Sequence, residues 1–549
     1  NLMQKGHQFR TDGDGETICH LYEEYDGDAA KHLRGQFAFA LWDSKQRKLI
    51  IARDRTGQKP LYYYHDGEVF VFGSEIKAIL QHPAVPVESA FDDPYIVSLY
   101  LSYGYVPAPL TAFKGIHALL PGHTLTIDAS KKIQQGTYWQ APQIASAKSP
   151  DLNAYVDTVS ELLSEAVKLR LIADVPLGAF LSGGLDSSLI VALMKKHTNA
   201  TIKTFSIGFE GDDSFDETPY AQEVADFLGT DHTAFRVKPD ALDLLEKLVW
   251  HHDQPFADSS AIPTFLVSQL TRQHVTVALT GDGGDELFAG YDRFYAASLL
   301  QKLSVVPRPL WKIAAHLLSQ LPEGTGYYNK IKRAGRFARG ASQPLALAYF
   351  DWVRLFNADW VHDLTGESDH AGEHFQGVFA DSIANDYIAK ILYTNMTTYL
   401  RDDLLIKADR CSMAASLEAR APFLDHKLIE YVAGIPFNLK LNGRTTKYIL
   451  KEAAKNYLPE HIIHRKKHGF GVPLGAWLRD DIQPVRDILL SQNAKARSIL
   501  NQSAVEQLIT EHSSRQRDHG FRLWTLLTLE MWHRLHIDGK IAVKSGEVL

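Results

Sequence analysis

Hydrophobic and polar positions follow two different grammars along the chain. Up to residue 140, short β-prone runs at 36–42, 48–52, 61–64 and 69–72 are cut by turn signals at Asp43-Ser44, Thr56-Gly57 and His65-Asp66-Gly67. Runs so closely spaced predict antiparallel hairpins, with a helix over 17–25 packed on them. The stretch 141–153 has linker composition. Beyond it Tyr155, Val159, Leu162, Leu163, Ala166 and Val167 recur at helical spacing. Strands are then predicted at 178–181, 204–209, 232–237 and 275–279, with helices at 189–196, 220–228 and 241–250 between them. Alternation of this kind predicts a parallel, doubly wound α/β sheet, whose ligands sit beyond the carboxyl ends of the strands. From about 295 onward the pattern is mostly helical. Two domains follow, α+β over 1–140 and α/β with a helical C-terminal part over 153–549.

Composition narrows the function classes. At 549 residues the chain is too long for one ordinary domain. A net charge of −7 argues against a protein built to bind nucleic acid. Two cysteines, Cys19 and Cys411, exclude a disulfide scaffold or a cysteine-rich zinc module and suit a reducing, cytoplasmic setting. No apolar run is long enough for a membrane helix.

Four segments carry candidate chemistry. Ser182, Gly183, Gly184, Leu185, Asp186, Ser187 and Ser188 follow a strand and open a helix. Small residues let backbone N–H groups approach an anion, the helix N-terminus favours phosphate, and Asp186 can hold Mg²⁺ against phosphate oxygens. The Gly-Lys-Ser/Thr ending of a Walker A loop is missing. Thr280, Gly281, Asp282, Gly283, Gly284, Asp285 and Glu286 also follow a strand. There Asp285 is a second candidate Mg²⁺ ligand, and Asp282 a proton acceptor or electrostatic element near the reacting carboxylate. The 407–425 segment sets Arg410, Glu418 and Arg420 among small residues on helical sequence, where they either pair with one another or contact an acidic acceptor substrate. The 465–471 segment, Arg-Lys-Lys-His-Gly-Phe-Gly, suits a cationic lid over polyphosphate, with Lys467 stabilising developing negative charge.

Together with 35–42, 52–57, 60–62 and 73–77, these motifs resemble, in order and over nearly the whole chain, the glutamine-hydrolysing asparagine synthetases. The resemblance implies an N-terminal-nucleophile glutaminase that releases ammonia, and an ATP-pyrophosphatase-type synthetase domain. The latter would adenylate the aspartate side chain, and ammonia arriving through an internal tunnel would displace AMP. It implies ATP contacts at Leu181, Ile207, Thr280 and Gly281 as well as the 182–188 loop, Mg²⁺–pyrophosphate ligands at Asp186 and Asp285, the acidic group at the reacting centre at Asp282, and the lid lysine at Lys467. It implies small-molecule partners (ATP, aspartate, glutamine or ammonia), no nucleic acid and no membrane, with a homodimer as a candidate assembly. Relatives of this family amidate sugar uronic acids or close lactam rings, and the ATP motifs do not separate these acceptors. A third reading is a non-catalytic binding protein that keeps the fold.

The departure lies at the front. The family's nucleophile is an N-terminal Cys, whereas this chain starts with Asn1, and of the glutamine site only Asp14 matches. The expectation is a longer natural protein, and a chain that as given uses free ammonia instead of glutamine. Cys19 reads as a buried core cysteine on a helix and not as a substitute nucleophile. His251-His252-Asp253 lacks the spacing of a zinc site, Asp258-Ser-Ser260 reads equally as a helix cap or an acceptor contact, and the basic stretch 330–339 reads as a solvated helix face.

Overall fold

The computed structural model describes residues 1–143, 151–209, 216–237, 241–320, 330–384, 386–465 and 471–539. The chain divides into two compact units, one of residues 1–88 and 108–142, the other of residues 89–107 and 143–549. Among the described residues, no helix is long and apolar enough to cross a membrane.

The first unit holds two antiparallel sheets. One has the order β1 (Ala38–Asp43), β2 (Lys48–Arg53), β6 (His123–Ile127), β7 (Ile133–Thr137); the other has the order β4 (Phe70–Gly73), β3 (Tyr62–His65), β5 (Ile116–Ala118). Helix α1 (Gly15–Tyr25) precedes them. Ile51 of β2 packs with Leu61, Leu119 and Leu125 in the core. The Arg53-Asp54-Arg55-Thr56-Gly57 turn is tied by its own charges. Arg53 donates to the carbonyls of Lys59, Leu119 and Gly57, and Asp54 accepts from the backbone N–H groups of Thr56, Gly57, Gln58 and Lys59. This motif therefore holds a fold corner.

The segment 89–107 belongs to the second unit although 1–140 reads as strand-rich. It forms α2 (Pro94–Tyr103), with Pro at its first position and Asp93 capping the N–H of Tyr95. Its buried Tyr100 hydroxyl reaches the Thr525 carbonyl at 2.7 Å and Thr528 Oγ1 at 2.6 Å.

The second unit is organised by a five-stranded parallel sheet in the order β10 (Asp231–Val237), β9 (Lys203–Phe209), β8 (Leu177–Phe180), β11 (Val277–Leu279), β12 (Glu418–Arg420). Helices α3 (Leu185–His197) and α4 (Thr218–Leu228) link β8 to β9 and β9 to β10, while α5 (Ala261–Arg272) leads back to β11. Connections run outward from β8 in both directions along the sheet, the arrangement that in doubly wound folds places helices on both faces. They also leave a topological switch point between β8 and β11, where a crevice opens beyond the strand ends. Phe205, Val275, Ala278 and Leu417 fill the core behind it.

One expectation fails here. The 407–425 segment is not helical throughout: α6 (Leu405–Ala414) ends, Ser416 turns the chain with φ +57°, and residues 418–420 add β12 beside β11. Burial of Leu417 in the sheet core, together with bonds from Glu418 N to Thr276 O and from Thr280 N to Arg420 O, outweighs the helical propensity of this stretch.

Candidate active site

The two glycine-rich loops meet at the switch point because each ends one of the two strands that flank it. Leu181 is buried, and its N–H extends the sheet by donating to Phe205 O at 2.8 Å; Ile207 is buried in mid-β9. Ser182 and Ser187 brace the first loop: Ser187 Oγ accepts from Ser182 N at 3.2 Å and donates to Gly184 O at 3.3 Å, and Gly184 N donates to Ser182 Oγ at 3.3 Å. Gly183 has φ +70°, and a Cβ there would lie 2.6 Å from the backbone of Tyr220, so the loop lies directly on the start of α4. Ser188 is fully buried at the first turn of α3.

The second loop lies against the first. A Cβ on Gly281 would meet Asp186 Cβ at 3.0 Å, and one on Gly284 would meet Asp186 Cγ at 2.8 Å. Asp282 accepts from Thr280 Oγ1 at 2.7 Å. Asp186 and Asp285 both reach one residue that sequence reasoning missed, Lys447, whose Nζ pairs with Asp186 Oδ2 and lies 2.7 Å from Asp285 Oδ1. Lys447 is buried and has a left-handed backbone, φ +53°, just before the helix Tyr448–Ala454. Burial opposes its charge, but the two carboxylates outweigh burial and hold the ammonium well above the usual lysine range. Nothing in Arg444-Thr-Thr-Lys447 marks it in sequence; only the fold brings it to the acids. Arg465 adds a cation to the rim, with its guanidinium 3.7 Å from the Tyr220 ring and donating to Ser182 O at 3.1 Å and Glu217 at 3.0 Å. Lys467 lies outside the described residues. Two carboxylates converging beside backbone N–H groups are the hard oxygen donors that Mg²⁺ takes together with phosphate, and glycine at 284 keeps the space beside Asp186 open.

A second acid–lysine cluster lies on the same side of the sheet, since α5 and α6 run antiparallel to the strands they precede and begin at the strands' carboxyl edge. Lys407 Nζ lies 2.7 Å from both Asp258 Oδ2 and Ser260 Oγ. Asp403 is buried one helical turn before Lys407 and close enough to Asp258 to feel its charge. Burial would raise the Asp258 carboxyl, but Lys407 and Ser260 pull it down to about 2. Burial and the neighbouring Asp258 push Asp403 well above the usual range. Of the two readings of Asp258-Ser-Ser260, the brace at the helix start is present, since Asp258 Oδ1 accepts from Ser260 N at 2.9 Å just before α5, and the other oxygen of Asp258 takes Lys407.

Other sequence-flagged residues lie in different surroundings. Glu418 and Arg420 pair with each other at 2.7 Å, and Arg420 donates to the carbonyls of Arg170 and Ile172 at the end of the helix Leu152–Arg170. Arg410 is buried and lies 3.5 Å from buried Asp253. His252 is buried, its Nδ1 2.7 Å from Leu248 O, and burial lowers it to about 3. Asp14 is exposed at the start of α1. The expectation for Cys19 is overturned, because it is exposed while Cys411 is the buried cysteine. In α1 only Leu21 is buried, so the helix has too narrow an inner face to take in Cys19 as well.

Comparison with known proteins agrees with this geometry. Residues 158–534 match the asparagine synthase family model, and residues 1–139 match that of a glutamine amidotransferase domain. The chain is 34% identical over 543 residues to asparagine synthetase (glutamine-hydrolyzing) 1 of Bacillus subtilis, covering 98% of this chain and 83% of the relative. Asparagine synthetase (glutamine-hydrolyzing) 3 of the same organism is 32% identical over 486 residues, 85% of this chain and 72% of the relative. Amidase chyE of Penicillium rubens is 30% identical over 564 residues, 94% of this chain and 81% of the relative. The chain therefore belongs to the asparagine synthase family of ligases and carries a glutamine amidotransferase domain ahead of the synthase domain.

Proposed function

We propose that this enzyme makes asparagine from aspartate in two steps at the β8–β11 crevice. The aspartate side-chain carboxylate attacks the α-phosphorus of ATP, the bond to the β-phosphate breaks, and pyrophosphate leaves with the electron pair. Ammonia, drawn from glutamine by the amidotransferase domain, then attacks the acyl carbon; it loses a proton and AMP leaves. A carboxylate is a poor electrophile, so the first step exists to create a leaving group. The observation that carries this reading is the convergence of Asp186, Asp285 and Lys447 where the two glycine-rich strand ends meet.

Roles follow from position. Backbone N–H groups at the start of α3 bind phosphate, while Lys447 and, in the segment after Arg465, Lys467 offset the charge growing on pyrophosphate. Mg²⁺ held by Asp186 and Asp285 would neutralise the same oxygens. Asp282, which accepts from Thr280 Oγ1, takes the proton that ammonia gives up in this reading. The acceptor enters from the Asp258 side. That cluster holds two carboxyls for one lysine, and Asp403 keeps a proton in place of a second cation. The α-ammonium of aspartate would take that proton's place and fix the acceptor.

The test is ATP–pyrophosphate exchange with a panel of carboxylic acids, followed by amide formation from ammonium. Aspartate should drive exchange and yield asparagine with AMP. Release of ADP would refute adenylation. Exchange with a different acid and none with aspartate would move the protein toward other acceptors, a reading that the full-length similarity to an amidase keeps in play.

A further inference from the structure

A second cluster of ligand-type side chains lies in the first unit and takes no part in the proposed reaction. His7 Nδ1 and His20 Nδ1 are 3.1 Å apart, His20 Nδ1 is 2.9 Å from Glu23 Oε2, and His7 Nδ1 is 3.3 Å from the same oxygen. Among the described residues they form the only group of three or more His, Cys, Asp or Glu side chains with metal-ligand spacing. His20 and Glu23 share one face of α1 at i, i+3, while His7 comes from the segment before it.

The far nitrogens complete the pattern. His7 Nε2 lies 2.9 Å from Glu24 Oε1, and His20 Nε2 lies 3.4 Å from Glu16 Oε1. The Glu24 carboxylate on His7 Nε2 keeps the proton on that nitrogen and turns the Nδ1 lone pair inward, as outer carboxylates do for metal-bound histidines, while Glu16 stands near His20 Nε2 without a hydrogen bond to it. Both outer acids are themselves fixed: Lys5 holds Glu24 at 2.7 Å, and the backbone N–H groups of Arg10 and Thr11 hold Glu16 at 2.8 Å. Ligands about 2.0–2.2 Å from a tetrahedral Zn²⁺ lie about 3.3–3.5 Å from one another. The observed spacings need to open by only a few tenths of an ångström. Glu23 is largely exposed, which leaves the fourth position to water.

We propose that His7, His20 and Glu23 bind one divalent transition-metal ion, Zn²⁺ by donor type, which clips the segment before α1 onto that helix. The rival occupant is a single proton shared by the two rings and Glu23.

The experiment titrates Co²⁺, then Zn²⁺, into the chelator-treated full chain near neutral pH, following visible absorption and melting temperature. The expected result is saturation at one equivalent with the strong absorption of four-coordinate Co²⁺, displacement by Zn²⁺, and a higher melting temperature. His20→Gln should weaken binding by at least about 100-fold and Glu24→Gln by about 10- to 100-fold, with the metal-free melt of each unchanged. Cys19→Ser, beside the cluster, should change nothing. Absence of saturable binding would leave the shared proton and overturn the proposal. So would binding that survives both His7→Gln and His20→Gln, or only the weak absorption of six-coordinate Co²⁺ expected from the all-oxygen pair Asp186 and Asp285.

Discussion

Two largely buried clusters in the second unit have the same composition, two aspartates around one lysine, yet they differ in how the charges are arranged. Around Lys447 both acids arrive on strand-end loops, and each is ion-paired with the ammonium. Charge there is two negative to one positive, a site matched to a cation–polyphosphate complex that brings its own balance. Around Lys407, among the described residues, Asp258 is the ion-pair partner, and burial together with the neighbouring Asp258 pushes the Asp403 carboxyl well above the usual range. Under the proposed reaction the first cluster would meet charge that flows during the reaction, and the second one charge on the substrate. The lesson is that residue type alone does not set the role: glycine-lined space does in one case, helix burial in the other.

The sharpest break is Lys447→Ala. It should lower ATP–pyrophosphate exchange by about 10²–10³-fold, the cost of losing one preorganised positive group at a developing charge. It also leaves two half-buried acids together, which destabilises by about 3–5 kcal/mol. Pairing it with Asp186→Asn separates the effects, because the double variant should regain stability measured by denaturant titration and stay inactive. A double variant that regains exchange would show that Lys447 only props the acids apart.

Asp403→Asn tests the other cluster. The Michaelis constant for aspartate should rise by about 10- to 100-fold with exchange at saturation nearly kept, the worth of one charge-assisted hydrogen bond. Stability should move the other way. A carboxyl raised in the folded state stabilises most below its unfolded value, about 3.9, and loses that contribution as pH rises. The variant should therefore melt higher than the parent, by a margin that widens from pH 4 to pH 8. Asp258, held at about 2, contributes with opposite sign. Its stabilisation is present above about pH 3.9 and fades as pH falls toward 2, so Asp258→Asn should destabilise at neutral pH and converge on the parent in acid.

Gly183→Ala comes next. The left-handed backbone costs about 1–2 kcal/mol for a residue with a Cβ, and contact with the Tyr220 backbone adds to it. The melting temperature should fall and ATP affinity with it; unchanged values for both would mean that the loop can lift off α4. This glycine was legible in sequence, as were both strand-end loops, because contiguous small residues after an apolar run carry their geometry locally. Lys447, Asp403 and Lys407 were not legible as a site. Each lies on ordinary helical or turn sequence, and only long-range packing brings Lys447 to Asp186 and Asp285 and Lys407 to Asp258. Strand β12 was hidden for the same reason: three residues of mixed polarity become a strand because β11 offers an open edge. Helix α2, in the 89–107 segment of the second unit, was missed because a helix surrounded by strand signals gains its stability from packing on 525–528, far along the chain.

The smallest expected effect decides what the 407–425 segment does. Glu418 is 40% exposed and its ion pair with Arg420 lies on β12, whose Arg420 carbonyl accepts from the Thr280 N–H at the start of the second glycine-rich loop. An exposed pair of this kind contributes about 0–1 kcal/mol. Arg420 also keeps its two carbonyl partners on residues 170 and 172 when Glu418 is neutralised. Glu418→Gln should then leave the melting temperature and the Michaelis constant for aspartate close to the parent values, while Asp403→Asn shifts both. A large rise in that constant for Glu418→Gln, with stability unchanged, would reverse the assignment: the edge strand would be the acceptor contact, and the Lys407 cluster a buried brace.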